Sequence, residues 1–192
     1  CYHRLEPHGA SYVDLYLFQD GSRLRSFFAD ERHGLGVTSR GVEDNFTAQH
    51  DAWRGTPRIS ICLEKLLSLP KEVQVGTIRH EVGHSVLHGS IEYYITPLTQ
   101  IKNIAAKSGM PEEFANNFLY LISIAVKDYE VARLLWKNRY VEDQIAYAKN
   151  ILSTTDDEKL AWQLSDKNPA AKAMCVLSRL KDVCCIAPFL ED

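Results

Sequence analysis

The first third of the chain is rich in turns and carries two strand-like patterns. In the first, apolar residues alternate with other residues before a turn-like sequence at 19–22: Val13, Leu15 and Leu17. The second lies at residues 58–63, where β-branched residues alternate directly after Pro57. Residues 29–57 have no clear period, so we predict a loop there with at most one short strand.

From about residue 64 onward, the apolar spacing becomes helical. Pro70 suits the first turn of a helix and Gly89 suits its end. Between them, apolar residues recur at three- and four-residue steps and predict one packed face: Val75, Ile78, Val82 and Val86. Turn residues interrupt the segment 91–110, notably Pro97, Gly109 and Met110. Further helices are predicted over 112–137, 140–152, 156–165 and 169–182.

The longest of these predicted helices, over 112–137, carries an apolar stripe made of Phe114, Phe118, Leu121, Ala125, Ala132 and Leu135. Together, the patterns predict one mainly helical α+β domain over 1–192 with a small N-terminal β-sheet. Its parts are a sheet-rich region at 1–63, a middle helical region at 64–137 and a helical C-terminal region at 138–192.

Composition agrees with one globular domain and excludes some partners. A chain of 192 residues with 45% hydrophobic and 24% charged residues can bury a core without a disulfide framework. The net charge of −3 provides no general attraction to nucleic acid or to an anionic membrane. No apolar run approaches the ~20 residues that a membrane span requires. We therefore expect no nucleic-acid partner and no membrane association.

The cysteines favour a reducing, cytoplasmic setting. Their number is five, which is odd, and Cys184 is adjacent to Cys185. The spacing of these two from Cys175 is not that of a zinc ribbon, so we expect all three to pack as small apolar side chains. The N-terminus lacks the pattern of a signal peptide. It also lacks an initiator methionine, so whether the sequence is a piece of a longer chain is left open.

The clearest candidate for chemistry is His80-Glu81-x-x-His84, on the helix predicted after Pro70. Histidines four residues apart lie on the same face of a helix, so both rings can bind one metal ion. Glu81 would lie beside that ion, where its carboxylate can serve as general base for a water that the metal acidifies. Both histidines fall opposite the predicted apolar face. We therefore predict a metal site that lines a cleft, in preference to two surface histidines.

A catalytic zinc site uses three protein ligands, so a third must be found. A third histidine six residues beyond His84 is excluded because that position is Ser90. His88 lies about 12 Å from His80 along the helix axis at ~1.5 Å per residue, too far to share an ion. We predict that His88 is a helix-end residue that hydrogen-bonds a carbonyl of the last turn.

The helix over 112–137 offers two carboxylates for the third position, Asp128 and Glu130. Asp128 lies on the apolar stripe, where a buried carboxylate is costly unless a positive partner such as a metal meets it. Glu130 lies about 200° away around the helix, near Lys127 and Arg133, and can simply be solvated. We predict Asp128 as the third ligand and keep Glu130 as the alternative. For both residues the alternative stays open that the carboxylate pairs with a Lys or Arg in the core and binds no metal.

This constellation resembles the zincin metallopeptidases, on their gluzincin and aspzincin side. The sequence His-Glu-Val-Gly-His-Ser-Val-Leu-His-Gly at 80–89 is similar to the active-site helix of ImmA/IrrE-type peptidases, and the compact size resembles the minigluzincins. In these families an acidic ligand on a second helix is followed four residues later by Asp or Asn. Asp128 matches the ligand position, whereas Ala132 departs from the last one. The resemblance covers roughly residues 58–136.

The resemblance implies a zincin-like fold, a bound Zn²⁺ and Glu81 as general base. It also implies that the strand at 58–63 borders the cleft, where an extended peptide can add as another strand. An ordinary core strand is an equal alternative from the sequence alone. Such a site also needs a donor for the developing oxyanion, and the sequence does not choose among the candidates Tyr93, Tyr94, Tyr129 and Arg133.

The leading hypothesis is a zinc-dependent metallopeptidase of the His-Glu-x-x-His type that acts on a peptide or protein substrate. The alternative is a catalytically weak, zincin-like metal-binding module with a regulatory or interaction role, which the departure at Ala132 suggests. A plain helical structural domain is a third option. The oligomeric state is left open by the sequence. Outside the motif, we expect solvated loop histidines (His3, His8, His33 and His50) and core or interface tryptophans (Trp53, Trp136 and Trp162).

Overall fold

A computed structural model describes residues 1–36, 46–95, 103, 106–107 and 111–190. Within them the chain is mainly helical and has a three-stranded mixed sheet, which confirms the predicted α+β class. The strands and helices follow in the order β1 (Asp14–Phe18), α1 (Gly21–Gly34), β2 (Ala48–Asp51), β3 (Arg58–Cys62), α2 (Leu63–Leu67), α3 (Lys71–Leu87), α4 (Glu112–Lys137), α5 (Glu142–Leu152), α6 (Asp156–Leu164) and α7 (Pro169–Cys184).

The predicted helices agree closely with these bounds. Helix α3 begins directly after Pro70 and ends at Leu87, with His88 as its C-cap. The four later helices lie within two residues of their predicted ends. The predicted turns at Pro97, Gly109 and Met110 fall outside the described residues. Among the described helices, none combines the length and the apolar character needed to cross a lipid bilayer.

Helix α1 corrects the prediction of a turn at 19–22 and a loop from residue 29. The side chain of Asp20 accepts a hydrogen bond of 2.9 Å from the backbone N–H of Arg23 and caps the helix. Leu24 and Phe28 of this helix are buried in one cluster with Cys62 of β3. The polar sequence that suggested a turn is therefore the start of a helix. The short strand allowed within 29–57 is β2.

The strand at residues 58–63 does not border a cleft. Its structured part, β3, is the centre of the sheet, parallel to β1 and antiparallel to β2, and all five of its residues are buried. A central strand has both edges paired and cannot accept another strand. The edge strand that packs against α3 is β2, so β2 takes the place predicted for residues 58–63.

The alternation along β1 is confirmed, but its two faces are reversed. Leu15 and Leu17 are 61% and 57% exposed. Tyr16 and Phe18 point inward instead and pack on Phe27 of α1, with ring centroids 5.3 and 5.2 Å apart. Aromatic side chains bury more apolar area than leucine does, so the aromatic pair takes the inward face once α1 covers the sheet.

Helix α3 is covered on several sides, by α4, α5 and β2. Its predicted apolar face is only partly right, because Val82 is buried whereas Ile78 is 37% exposed. The side that carries the histidines is buried as well, since α4 and α5 lie over it. A Cβ on Gly83 would come 2.6 Å from Val131 Cγ1 on α4. Glycine there permits the close approach of the two helices that bear the candidate ligands.

Close contact between α3 and α5 makes Gly76 a test of the packing. A Cβ on Gly76 would overlap the backbone oxygen of Asp143 and lie 2.8 Å from Tyr147 Cβ. Overpacking costs about 1–3 kcal/mol or more, and a backbone oxygen cannot move aside. We expect Gly76→Ala to lower the free energy of unfolding in urea by about 2 kcal/mol, even after the helix gains ~1 kcal/mol from alanine.

The control for this substitution is Gly34→Ala at the end of α1, where nothing lies within 4 Å of the added Cβ. We expect it to change the free energy of unfolding by less than about 0.5 kcal/mol. Equal stability of the two variants would contradict the packing of α5 on α3.

Candidate metal centre

Helices α3 and α4 bring three potential metal ligands together. The Nε2 atoms of His80 and His84 lie 3.1 Å apart, as expected for rings one helical turn apart. Asp128 Oδ1 lies 3.1 Å from His84 Nε2 and 3.6 Å from His80 Nε2. Their ligand atoms all lie within 4.8 Å of one another. Among the described residues, this is the one group of at least three His, Cys, Asp or Glu side chains that could hold a metal ion.

The spacing of these atoms fits a tetrahedral ion. Two ligand atoms bound at ~2.0–2.1 Å and at the tetrahedral angle are separated by about 3.3 Å. The three observed separations, 3.1, 3.1 and 3.6 Å, lie close to that value. Two imidazoles and one carboxylate are also a donor set that suits zinc. The residues present could therefore hold a tetrahedrally coordinated metal ion.

The protonation states of the group match those of metal ligands. Burial opposes ionisation of Asp128, but the facing imidazoles of His80 and His84 outweigh it and hold the carboxyl pKa well below its usual range. Burial lowers the pKa of His84 to about 4, although Asp128 opposes this shift. Asp128 is thus an anion and His84 a neutral imidazole at neutral pH, as metal binding requires.

Of the two predicted third-ligand candidates, the structure places Asp128 with the histidines and Glu130 apart from them. The Asp128 carboxyl is buried, and its second oxygen lies 3.5 Å from the thiol of Cys185. Cys185 is buried as predicted, but it donates to the candidate ligand rather than only filling space. The Glu130 side chain is 52% exposed and contacts His88 instead.

Glu81 lies beside the group without belonging to it. It is almost fully buried, and a backbone hydrogen bond from His50 on β2 reaches its carboxyl group. Burial raises the pKa of Glu81 to about 7, and Asp128 contributes in the same direction, while His80 opposes it. A carboxyl with a pKa near neutral can both take up and release a proton at neutral pH.

The site opens into a cavity of about 700 Å³ that His80, Glu81 and His84 line. The predicted cleft is therefore present, although it lies under α4 and α5. Much of the remaining wall is aromatic or aliphatic and comes from Phe28, Phe46, Trp53, Leu119, Tyr120 and Ile124. A volume of this size lies within the usual range of ligand-binding cavities.

His50 was predicted to be a solvated loop residue, and this is wrong. It lies on β2, is 8% exposed, and its ring stacks on that of His84 with centroids 6.1 Å apart. Its Nδ1 is 3.0 Å from the hydroxyl of Tyr94. Burial lowers the pKa of His50 to about 3, and nearby His84 adds to the shift. His8 is half-buried as well, whereas His3 and His33 are exposed as predicted.

The structure separates the four predicted oxyanion donors into two groups. Tyr93 and Tyr94 line the cavity, whereas Tyr129 and Arg133 are not among its lining residues. It adds Tyr147 of α5, whose ring centroid is 4.8 Å from that of His80. No pattern in the sequence points to Tyr147, since none relates α5 to the motif on α3.

The prediction for His88 is right about its position, since His88 is the C-cap of α3, but wrong about its side-chain contact. Its side chain does not bond a carbonyl of the last turn but lies between two other side chains, His84 and Glu130, at 3.1 and 2.9 Å. It is 1% exposed. Burial lowers the pKa of His88, and this outweighs the effect of Glu130 in the other direction. His88 is therefore a neutral imidazole that joins α3 to α4.

Comparison with known proteins identifies no relative. A scan against protein-family models, a search of curated proteins and a search of solved structures each find no match for this chain. The residues of the site therefore have to carry the functional conclusion.

Proposed function

We propose that this chain is a zinc-dependent metallopeptidase of the zincin type. The observation that carries the proposal is the spacing of His80, His84 and Asp128, whose donor atoms lie at the separations of a tetrahedral ion's ligands. The sequence resemblance to zincins, on the motif at 80–84 and the acidic ligand on a later helix, supports the same function.

His80, His84 and Asp128 would hold the ion. When bound, Zn²⁺ supplies Lewis-acid polarisation of a carbonyl and makes a coordinated water more acidic. Glu81 accepts a proton from the attacking water and returns it to the amine that leaves. Burial raises the pKa of Glu81, which makes its carboxylate a better proton acceptor than that of an exposed glutamate.

The substrate would bind along β2. This strand is an edge of the described sheet and packs against α3, beside the candidate ligands. An extended peptide can pair with a free strand edge through backbone hydrogen bonds. The apolar walls of the cavity suit apolar side chains of such a peptide, and Tyr93, Tyr94 or Tyr147 could donate to its carbonyl oxygen.

Metal removal tests the proposal. We expect the zinc-loaded protein to cleave members of a mixed peptide library, with products identified by mass spectrometry. Chelation followed by desalting should abolish cleavage, and one equivalent of Zn²⁺ should restore it. Cleavage that persists undiminished after chelation would contradict the proposal. Stoichiometric zinc binding without any cleavage would favour the metal-binding regulatory or interaction module instead.

A further inference from the structure

A chain of polar contacts leads from His84 away from the candidate ion position. His84 Nδ1 lies 3.1 Å from His88 Nδ1, and His88 Nε2 lies 2.9 Å from Glu130 Oε2. His88 is nearly inaccessible, and the ring of Tyr93 packs edge-on against it with centroids 5.0 Å apart. The contacts therefore connect a half-exposed carboxylate to the back of a candidate ligand.

The chemistry of the three groups allows one arrangement of protons along this chain. A carboxylate only accepts hydrogen bonds, so His88 Nε2 must donate to Glu130. Two facing ring nitrogens need one donor and one acceptor between them, and a His84 that binds a metal ion through Nε2 carries its proton on Nδ1, so His88 Nδ1 is the acceptor. The partner atom, His84 Nδ1, must donate to it. His84 is left with an unprotonated Nε2, the atom that faces His80 and Asp128.

The proton of His84 has a competing position on Nε2, and the contact with His88 opposes it. Asp128 Oδ1 lies 3.1 Å from His84 Nε2 and could accept the single proton of His84 on that side. A proton on Nε2 would occupy the lone pair that a metal ion needs. His88 draws the proton to Nδ1 and so works against this competition.

We propose that His88 and Glu130 are positioning residues that fix the tautomer of His84 and raise the affinity of the site for a divalent cation. The inference rests on the proposed function, since it assigns these residues to the same metal centre. Metal-binding histidines ordinarily donate their second N–H to a carboxylate, a carbonyl or water. Here an imidazole on the next helical turn would be the acceptor.

The arrangement also explains how α4 can contact the histidine helix without a polar side chain at Ala132. The families that this sequence resembles have Asp or Asn at that position, whereas Ala132 is buried and has no polar side-chain atom. Glu130, two residues earlier on α4, reaches α3 through His88. The orienting contact between α4 and the histidine helix is therefore made from a different position.

Zinc affinity, measured by competition with a chromophoric chelator, tests the proposal. We expect His88→Phe to weaken zinc binding roughly 10–100-fold, the range seen for residues that orient metal ligands. Glu130→Gln should weaken it about 10-fold, because a neutral carboxamide accepts a weaker hydrogen bond than a carboxylate and can instead turn its NH₂ group toward His88 Nε2. His88→Asn, whose carboxamide oxygen can take the place of Nδ1 as acceptor, should stay within about fivefold of wild type. Glu72→Gln is the control, because it removes an exposed carboxylate from α3 and should change nothing.

A second measurement reads the proton arrangement itself. In the zinc-loaded protein with ¹⁵N-labelled histidine, we expect NMR to show His88 as the neutral Nε2–H tautomer. An Nδ1–H tautomer or an imidazolium at His88 would overturn the proposal. Because Glu130 is half-exposed, Glu130→Gln keeps the test decisive even if His88→Phe does not fold.

The outcomes separate this inference from the proposed function. Wild-type zinc affinity in both Glu130→Gln and His88→Phe would overturn the positioning role of His88 and Glu130 and leave the metal site intact. The predicted loss of zinc affinity in a protein that cleaves no peptide would support the positioning role of His88 and Glu130 and contradict the proposed peptidase function. A wild-type protein that binds no divalent cation would overturn both.

Discussion

Glu81→Gln should lower the rate of peptide hydrolysis by about 10²–10⁴-fold, which is the usual contribution of a general base. Glutamine has nearly the same shape, so it can still accept the backbone hydrogen bond that reaches Glu81 from His50. It cannot take a proton from the attacking water. Because Glu81 is not one of the three grouped donors, bound zinc should remain at one equivalent.

The matched control is Glu72→Gln, which removes an exposed carboxylate from the first turn of the same helix. We expect its kcat and zinc content to equal those of wild type. The comparison requires kcat, since a change in KM alone would indicate altered substrate binding. Unchanged turnover of Glu81→Gln with zinc bound would remove Glu81 from the mechanism.

Asp128→Asn should weaken zinc binding by more than about 100-fold, because even residues that only orient ligands contribute 10–100-fold. The substitution keeps the shape of a buried side chain that contacts Cys185. It removes the negative charge that faces His80 and His84. The loss should therefore appear in zinc affinity, measured by chelator competition, and the variant should still fold.

Glu130→Gln is the informative comparison for Asp128→Asn, because both remove one carboxylate from α4. Asp128 is buried with the histidines, whereas Glu130 is half-exposed and touches only His88 among them. We expect the larger loss of affinity at Asp128. The reverse order would make Glu130 the third ligand and contradict the assignment of the site.

Local pattern was sufficient for much of the helical part and for the centre of the site. Pro70 and the three- and four-residue spacing predicted α3, and the placement of both histidines followed from the helical repeat. Asp128 was predicted from its position on an apolar stripe, and it is indeed buried beside His84. These features depend on residues within one helix, so the spacing of apolar residues along that helix predicts them.

Features that depend on contacts between distant elements were missed. The sequence Asp20-Gly21-Ser22 is as typical of a turn as of a helix start, and the partner on which Leu24 and Phe28 of α1 pack, Cys62, lies far along the chain at the end of β3. Strand order is not encoded in strand pattern, so the central position of β3 was not predicted. His50 and Tyr147 reach the site only because β2 and α5 pack on α3.

The pair formed by His88 and Glu130 was missed for a related reason. On its own helix, His88 has the pattern of a helix end and Glu130 that of a solvated carboxylate. Their contact of 2.9 Å exists because α3 and α4 cross at Gly83 and Val131. A hydrogen bond between helices follows from that crossing and not from either sequence segment.

Zinc K-edge X-ray absorption of the protein loaded with one equivalent of Zn²⁺ tests the central claim most directly. We predict a first shell of nitrogen and oxygen at ~2.0–2.1 Å, with the multiple scattering of two imidazoles and no sulfur neighbour. Asp128→Asn loaded with excess zinc should lose this signature. A sulfur neighbour at ~2.3 Å, or scattering from fewer than two imidazoles, would contradict a centre made of His80, His84 and Asp128.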